Sequence, residues 1–555
     1  MLKVIKNFTI GIKKATFILL LFINASCFSQ SNGFEQIKGL ELMDLIYQQL
    51  DMHYVDEPKP GKLSKIAIDA MLKDLDPYTV YYHEANMEDY KMLTTGQYGG
   101  IGSLIRKIGD YIYISEPFED TPAQKSGLKA GDRIISIDGR DMIKKSTEAV
   151  SSLLKGPKGT SINIKVIRDQ TELTIPVTRD EIKIKDVPYA SILKENIGYI
   201  KLTSFSQTAF DEVKKAFIDL KSQGMKKLII DLRDNGGGLL MEAVKIVNLF
   251  VPKNKIIVTT KGRIQDENKI YKTLEEPLDL KIPLIILIDE GSASASEIVS
   301  GSLQDLDRAV IIGKNSYGKG LVQRTFDLKY GSKIKLTIAK YYTPSGRCVQ
   351  KLEYYDKKED DKPSMIADSL IKSFKTNNGR TVIDGRGIEP DIKIKERNVS
   401  RLTEMILGKN ILFNYVTKYE QTHPKIIDAK EFTLTNSEFE SFKELVIKDT
   451  FDYTTASEEI LKKIKKTVED DGYYEDAKIE YQALVKKLTP SKERDLDKFK
   501  PEIKELIENE IISRYYYQKG RTMHALLNDE FVNESTSILI NESQYNSILN
   551  PKTTK

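Results

Sequence analysis

The sequence predicts an α/β layer domain at the centre of the chain, with a small β-rich domain before it and helical regions at both ends. Three observations carry that prediction. Between about 197 and 394 strand-like and helix-like runs alternate: 198–202, a helix over 207–222, 227–232, a helix over 239–250, 284–289, a helix over 296–305, then 309–313. That is the rhythm of strands layered with helices. From Tyr98 to about Thr178 short β-branched runs are punctuated by Gly127, Gly131, Gly139 and Gly159, which fits a separate β-rich unit. Over 36–93, and again beyond Ser400, apolar residues recur at helical spacing.

Taken in chain order, the N-terminus comes first. Lys3, Lys6, Lys13 and Lys14 precede the apolar run 15–23, and small and polar residues follow to Ser31. This is the order of a secretory signal peptide, expected over 1–29, with a buried N-terminal helix as the plainer alternative. The apolar run is about half of the roughly 20 residues that a membrane span requires, and no later segment is longer, so the mature chain is expected not to cross a bilayer. The expected location is outside the cytoplasm, in the periplasm. Acylation of Cys27 would add membrane attachment, although Asn24-Ala25-Ser26 lacks the apolar residue usual three positions before such a cysteine.

At 555 residues the chain exceeds one ordinary core. The expected divisions are a helical region at 36–93, the β-rich domain at 94–180, the α/β domain at 181–398 with a charged insertion at 352–380, and a helical extension at 399–555. Charged residues are 30% of the chain but nearly cancel, 85 basic against 81 acidic, so the net +4 offers no broad field for nucleic acid or anionic lipid. Two cysteines, Cys27 and Cys348, make no disulfide framework. His53, His83, His423 and His524 are scattered without metal-site spacing, so neither metal nor cofactor is expected. A homo-oligomer is compatible with the helical ends.

The chemistry concentrates in three segments. The first, 285–297, runs from a buried strand through small residues into a helix. Ser294 would sit where the helix begins, so the amides just after it lack intrahelical partners and can face a developing oxyanion. The same Ser294-x-x-Glu297 pattern is also a capping box that would merely start the helix, and local reasoning does not choose among Ser292, Ser294 and Ser296. The second is Gly318-Lys319-Gly320. A serine needs a base, no histidine occurs between His83 and His423, and a lysine held neutral can serve instead. The third, 231–238, is again a strand end passing through glycines into a helix; its amides could complete an anion site, or it could be a tight turn only. Gly313 to Lys319 also matches the start of a phosphate-binding loop, but Gly320 stands where a Ser or Thr hydroxyl should hold magnesium, and a strand pattern follows where a helix is required.

Gly291 to Glu297 with its repeated Ser-Ala-Ser, then 318–323, closely resemble the carboxyl-terminal processing peptidases, or tail-specific proteases. Asp231 to Gly238, Tyr341 to Arg347 and Gly387 to Asp391 resemble further motifs of that family, so the likeness spans roughly 36–395. The resemblance implies a crotonase-like α/β protease core and an exported serine endopeptidase, with Ser294 as nucleophile, Lys319 as general base 25 residues on, and Gln323 orienting the lysine amine. It implies an oxyanion hole from the amides of Ala295 and a loop glycine, Gly237, although Gly236 stands where the family often has proline. The β-rich segment resembles a PDZ domain through 98–102, 120–123, 127–128 and 131–134. Gly99, Gly100, Ile101 and Gly102 would form the loop that holds a peptide carboxylate. The partners implied are proteins or peptides with unstructured C-termini. The competing class is a tail-binding adaptor on a catalytically dead scaffold, against which the intact Ser294, Lys319 and Gln323 argue.

Overall fold

The computed structural model describes residues 33–84, 87–355, 362–395 and 399–551; the expected signal peptide and Cys27 lie outside the described residues. The chain divides into two compact units, Met1–Tyr81 and Tyr82–Lys555. In the first, helices α1 (33–53) and α2 (Pro60–Leu75) account for the helical periodicity. Pro60 takes the first turn of α2, where a missing N–H is of no consequence. The Tyr47 hydroxyl lies 2.8 Å from Ser64 Oγ and joins the two helices.

The second unit opens with α3 (Met87–Thr95) and β1 (Gln97–Gly100). The β-rich domain follows: β2 (Ser103–Ile108), β3 (Tyr111–Pro117), β4 (Arg133–Ile137), helix α4 (Thr147–Leu154), β5 (Ser161–Arg168) and β6 (Thr171–Thr178). These strands form one sheet in the order β2-β3-β4-β5-β6, so β2 is an edge strand. Period-two patterning builds its core, as in β5, where Ile162, Ile164 and Val166 are buried and their neighbours Ser161 and Asn163 are exposed. Ser146 starts α4 by accepting the Ala149 N–H. Strand β7 (Asp180–Lys183) returns to pair antiparallel with β1.

The α/β domain is built on a six-stranded sheet. Its strands are β8 (Tyr189–Ile192), β9 (Ile197–Lys201), β10 (Lys227–Asp231), β12 (Leu284–Ile288), β13 (Val310–Gly313) and β16 (Ile392–Lys393), in that spatial order. All neighbours are parallel except β8 and β9. Helices α5 (Ala209–Ser222), α6 (Leu240–Asn248) and α7 (Ala295–Asp305) supply the crossovers. Strands β11 (Ile256–Gly262), β14 (Leu321–Asp327) and β15 (Lys333–Tyr342) pair antiparallel beside the sheet.

Every residue of β12 is fully buried, because both faces of the sheet are covered. Ile286 and Ile288 pack with Val247, Phe250 and Leu303 on the side of α5, α6 and α7. Ile285 and Leu287 face the opposite way, toward Ile538, Leu539, Tyr545 and Leu549. Those four residues come from the last two described helices, α15 (Glu530–Ile540) and α16 (Glu542–Leu549). The expected helical appendage is therefore in part a layer of the α/β domain itself. Its remaining helices, α8 (Arg401–Gly408), α9 (Ile411–Thr422), α10 (Asn436–Lys448), α11 (Ala456–Asp470), α12 (Tyr474–Leu488), α13 (Lys492–Lys498) and α14 (Lys500–Ala525), include a second core around Phe439, Phe442, Ile507 and Ile511. The charged 352–380 insertion likewise makes contacts with the domain at its C-terminal end. Arg380 bridges Asp307 and Asp391, and Asn378 Nδ2 donates to the Leu549 carbonyl, so the insertion is pinned to the domain and to α16.

If α15 is a true core layer, Ile538→Ala should destabilise the protein by about 2–5 kcal/mol. Ile540→Ala, on the same helix but half exposed, should change stability by less than about 0.5 kcal/mol. Chemical denaturation of both variants checks this.

Candidate active site

Strand β12 ends at Ile288, and residues 289–293 form a loop before Ser294 and α7. The loop is stitched down by hydrogen bonds. Asp289 Oδ1 accepts the N–H of Gly291, Ser292 and Asp234 at 2.9–3.1 Å. Ser292 Oγ donates to the Leu232 carbonyl at 2.8 Å, and Ser296 Oγ donates to the Asn235 carbonyl at 2.8 Å. Both of these serines are fully buried, with their hydroxyls committed. Ser294 alone of the three is part-exposed. The fold thus separates three serines that their local sequence leaves equivalent.

Ser294 adopts φ 56°, ψ −108°, a region that costs a non-glycine residue about 1–3 kcal/mol. Three contacts hold it there. Its N–H donates to Glu297 Oε2 at 2.8 Å, and its carbonyl accepts the Ile298 N–H at 2.9 Å and the Tyr341 hydroxyl at 3.2 Å. Burial raises the Tyr341 pKa well above the usual phenol range, as does the nearby Glu297, so the hydroxyl keeps its proton.

Glu297 does more than cap a helix. Fully buried, its carboxylate also accepts the Ser316 hydroxyl at 2.6 Å, the Gly318 N–H at 2.8 Å and the Lys319 N–H at 2.9 Å. One carboxylate therefore fixes the backbone of Ser294 and the backbone of Lys319. Burial pushes its pKa up from the ordinary range, while the Ser316 hydroxyl and the three amides oppose that rise. The lysine loop needs Gly318, whose φ of +90° and whose approach to Lys351 Cβ, 2.5 Å from where its own Cβ would stand, exclude a side chain. Gly320 N–H donates to Gln350 Oε1 at 2.7 Å and pins the other side of the lysine. Gln323, on β14, donates through Nε2 to Thr337 Oγ1 of β15 at 3.2 Å.

The loop after β10 closes on the serine. At Gly237, φ is +99°, and a Cβ would lie 2.7 Å from the Ala293 carbonyl oxygen and 2.9 Å from Ser294 Cβ. Its N–H is engaged, donating to Asn235 Oδ1 at 2.9 Å. Among the described residues no group accepts the Ala295 N–H, the first amide of α7. In the β-rich domain the Gly99 N–H donates to Glu88 Oε2 at 2.7 Å. Among the described residues the amides of Ile101 and Gly102 have no acceptor, and they lead directly into edge strand β2. Gly100 lies in β1 opposite Asp180.

Comparison with known proteins gives this geometry a lineage. Residues 196–354 match the family model described as peptidase family S41, residues 99–178 a PDZ domain, and residues 402–539 the C-terminal helical domain of probable PDZ-proteases. A "Probable CtpA-like serine protease" of Staphylococcus haemolyticus is 30% identical over 440 residues, covering 76% of this chain and 80% of the relative. The chain belongs to the carboxyl-terminal processing peptidases of family S41. A "Carboxy-terminal-processing protease" of Bartonella bacilliformis is 36% identical over 336 residues, 60% of this chain and 77% of that protein. Among solved structures, a photosystem II D1 C-terminal processing protease aligns at 25% identity over 63% of this chain and 86% of its own, with a TM-score of 0.36. The protein is thus a serine-type peptidase that carries a PDZ domain.

Sequence reasoning met Glu297 only as a capping acid and Tyr341 only as part of a motif. For Glu297 the spacing signal was visible, but its second set of donors was not. In this peptidase Glu297→Gln keeps the side-chain volume but supplies one acceptor oxygen where two are used. Two of four donors lose their acceptor, at about 1–3 kcal/mol each. The expected result is a lowered thermal midpoint together with an activity loss of about tenfold or more, read by calorimetry and by cleavage of a protein with a disordered tail.

Proposed function

We propose that this chain is an exported endopeptidase that takes unstructured C-terminal tails of proteins and cleaves them through a Ser294-Lys319 pair. The observation that carries this reading is the single buried carboxylate of Glu297 binding the backbone of both residues, with Ser294 held part-exposed in a strained turn. The charged N-terminus followed by an apolar run supports export. Among the described residues no helix is long and apolar enough to cross a membrane.

A tail would add as a strand to β2, whose outer edge no other strand of the described sheet covers, with its terminal carboxylate on the amides of Ile101 and Gly102. The scissile carbonyl is then attacked by Ser294 Oγ while the neutral Lys319 amine takes the hydroxyl proton. The Oγ–C bond forms, the C–N bond breaks, and the leaving amine receives the proton from Lys319. Water then attacks the acyl-enzyme while Lys319 accepts its proton; the C–Oγ bond breaks, Ser294 Oγ takes the proton back from Lys319, and the carboxylic acid product leaves.

Negative charge on the tetrahedral oxygen would be met by the Ala295 amide and by the glycine loop. For Gly237 to serve there, its N–H has to be shared with, or released from, Asn235 Oδ1. Gln323, its Nε2 held by Thr337, would present Oε1 to the lysine amine.

Ser294→Ala and Lys319→Ala should each lower cleavage of a model protein with an apolar disordered tail by about a thousandfold or more, with unchanged circular dichroism. Undiminished cleavage in either variant would show that the nucleophile or base is another residue.

A further inference from the structure

Arg233, in the loop that closes on Ser294, is held between two carboxylates from distant parts of the chain. From β10, Asp231 accepts its Nε at 3.0 Å and its Nη2 at 2.6 Å. From the start of α15, Asp529 accepts its Nη1 at 3.2 Å and its Nη2 at 2.7 Å. The guanidinium also lies 4.7 Å from the centre of the Phe531 ring. Arg233 and Asp529 are about 15% exposed and Asp231 is fully buried, so the cluster is largely out of water.

Its charge balance depends on Asp529. Lys201 Nζ lies 3.3 Å from Asp231 Oδ2, so two cations meet one buried carboxylate unless Asp529 contributes the second. An unpaired buried charge is costly, whereas a paired and fully hydrogen-bonded one is tolerated. Arg is suited to this place because its planar fork can engage two carboxylates at once, which a lysine cannot.

The cluster is connected to the serine by short steps. Lys201 Nζ donates to the Arg233 carbonyl at 2.9 Å. The next residue, Asp234, donates its N–H to Asp289. Asn235 then accepts, through its carbonyl, the Ala293 N–H and the Ser296 hydroxyl on either side of Ser294. Gly237 abuts Ser294 itself. The residue that Asp529 holds is therefore the first of a short hydrogen-bonded run of backbone that ends against Ser294.

We propose that Asp529, in the C-terminal helical region, is a positioning residue for the peptidase site: through Arg233 it fixes the 232–238 loop, so the site is complete only with α15 docked. This rests on the Ser294-Lys319 reading above. Asp529 also caps α15, accepting the N–H of Phe531 and Val532 at 2.9 and 3.1 Å. Asparagine caps about as well as aspartate. Asp529→Asn therefore removes the charge while keeping the cap, and Asp529→Glu keeps the charge.

The test compares wild type, Asp529→Asn, Asp529→Glu and Ser294→Ala in tail cleavage, in the rate of labelling by a fluorophosphonate, and in thermal midpoint. Measured well below every variant's midpoint, Asp529→Asn is expected to lower kcat and the labelling rate by about tenfold to a hundredfold, with KM unchanged and the midpoint lowered because Arg233 loses a buried partner, and Asp529→Glu to recover part of the loss. Wild-type kcat and labelling in Asp529→Asn would overturn the proposal. So would a fall in kcat that tracks the midpoint and is not relieved in Asp529→Glu, which marks a structural role only. If wild type and Ser294→Ala were labelled and cleaved alike, the serine assignment would fail instead.

Discussion

A carboxylate with no exposure to water organises this molecule. Removing Glu297 from solvent would cost several kcal/mol if it were left bare, and the protein offsets that with four donors drawn from two loops. The dependence runs both ways. Each loop uses the carboxylate to satisfy groups that face inward, and the carboxylate draws its donors from both loops. The serine turn and the lysine loop therefore share one acceptor, and a change at either end is felt at the other. The strain at Ser294 is tolerable for the same reason: the turn is fixed at its N–H by Glu297 and at its carbonyl by Tyr341.

The second constraint is the two-sided sheet. Because side chains alternate along β12, three of its five apolar residues look toward α5, α6 and α7 and two toward the C-terminal helices. The loops at the C-terminal ends of β10 and β12 sit between these layers and inherit contacts from both. Asp231, at the end of β10, shows the electrostatic side of this. Burial alone would raise its pKa, but Arg233 and Lys201 outweigh burial and hold it well below the usual carboxylate range. Its folded value lies below its unfolded one, so the stability it lends is present above the unfolded pKa and is lost as pH falls through the folded one.

Much of this was legible in the sequence, and the residues show why some was not. The α/β rhythm could be read because β12 is an unbroken apolar run bounded by polar and small residues, and the β-rich domain because β5 alternates with period two. Ser294 could be placed at a helix start, yet not separated from Ser292 and Ser296, since their hydroxyls are claimed by Leu232 and Asn235, some sixty residues away. Glu297 carries the local spacing of a capping acid, and nothing local announces Ser316 and Gly318. Asp529 reads as an ordinary helix cap because it is one; its hold on Arg233 exists only in three dimensions. The apolar spacing of Ile538, Leu539, Tyr545 and Leu549 predicts a buried helical face without saying what it faces.

The position of α15 and α16 in the chain has a consequence for how the enzyme comes into being. Every element that carries the serine, the lysine and the glycine loop is synthesised before the helices that cover the other face of their sheet. On an emerging chain, Ile229, Ile285, Leu287 and Ile312 have no cover, and the parallel strands are slow to settle without it. A half-made molecule therefore has the side chains of a protease but not the layer that sets them.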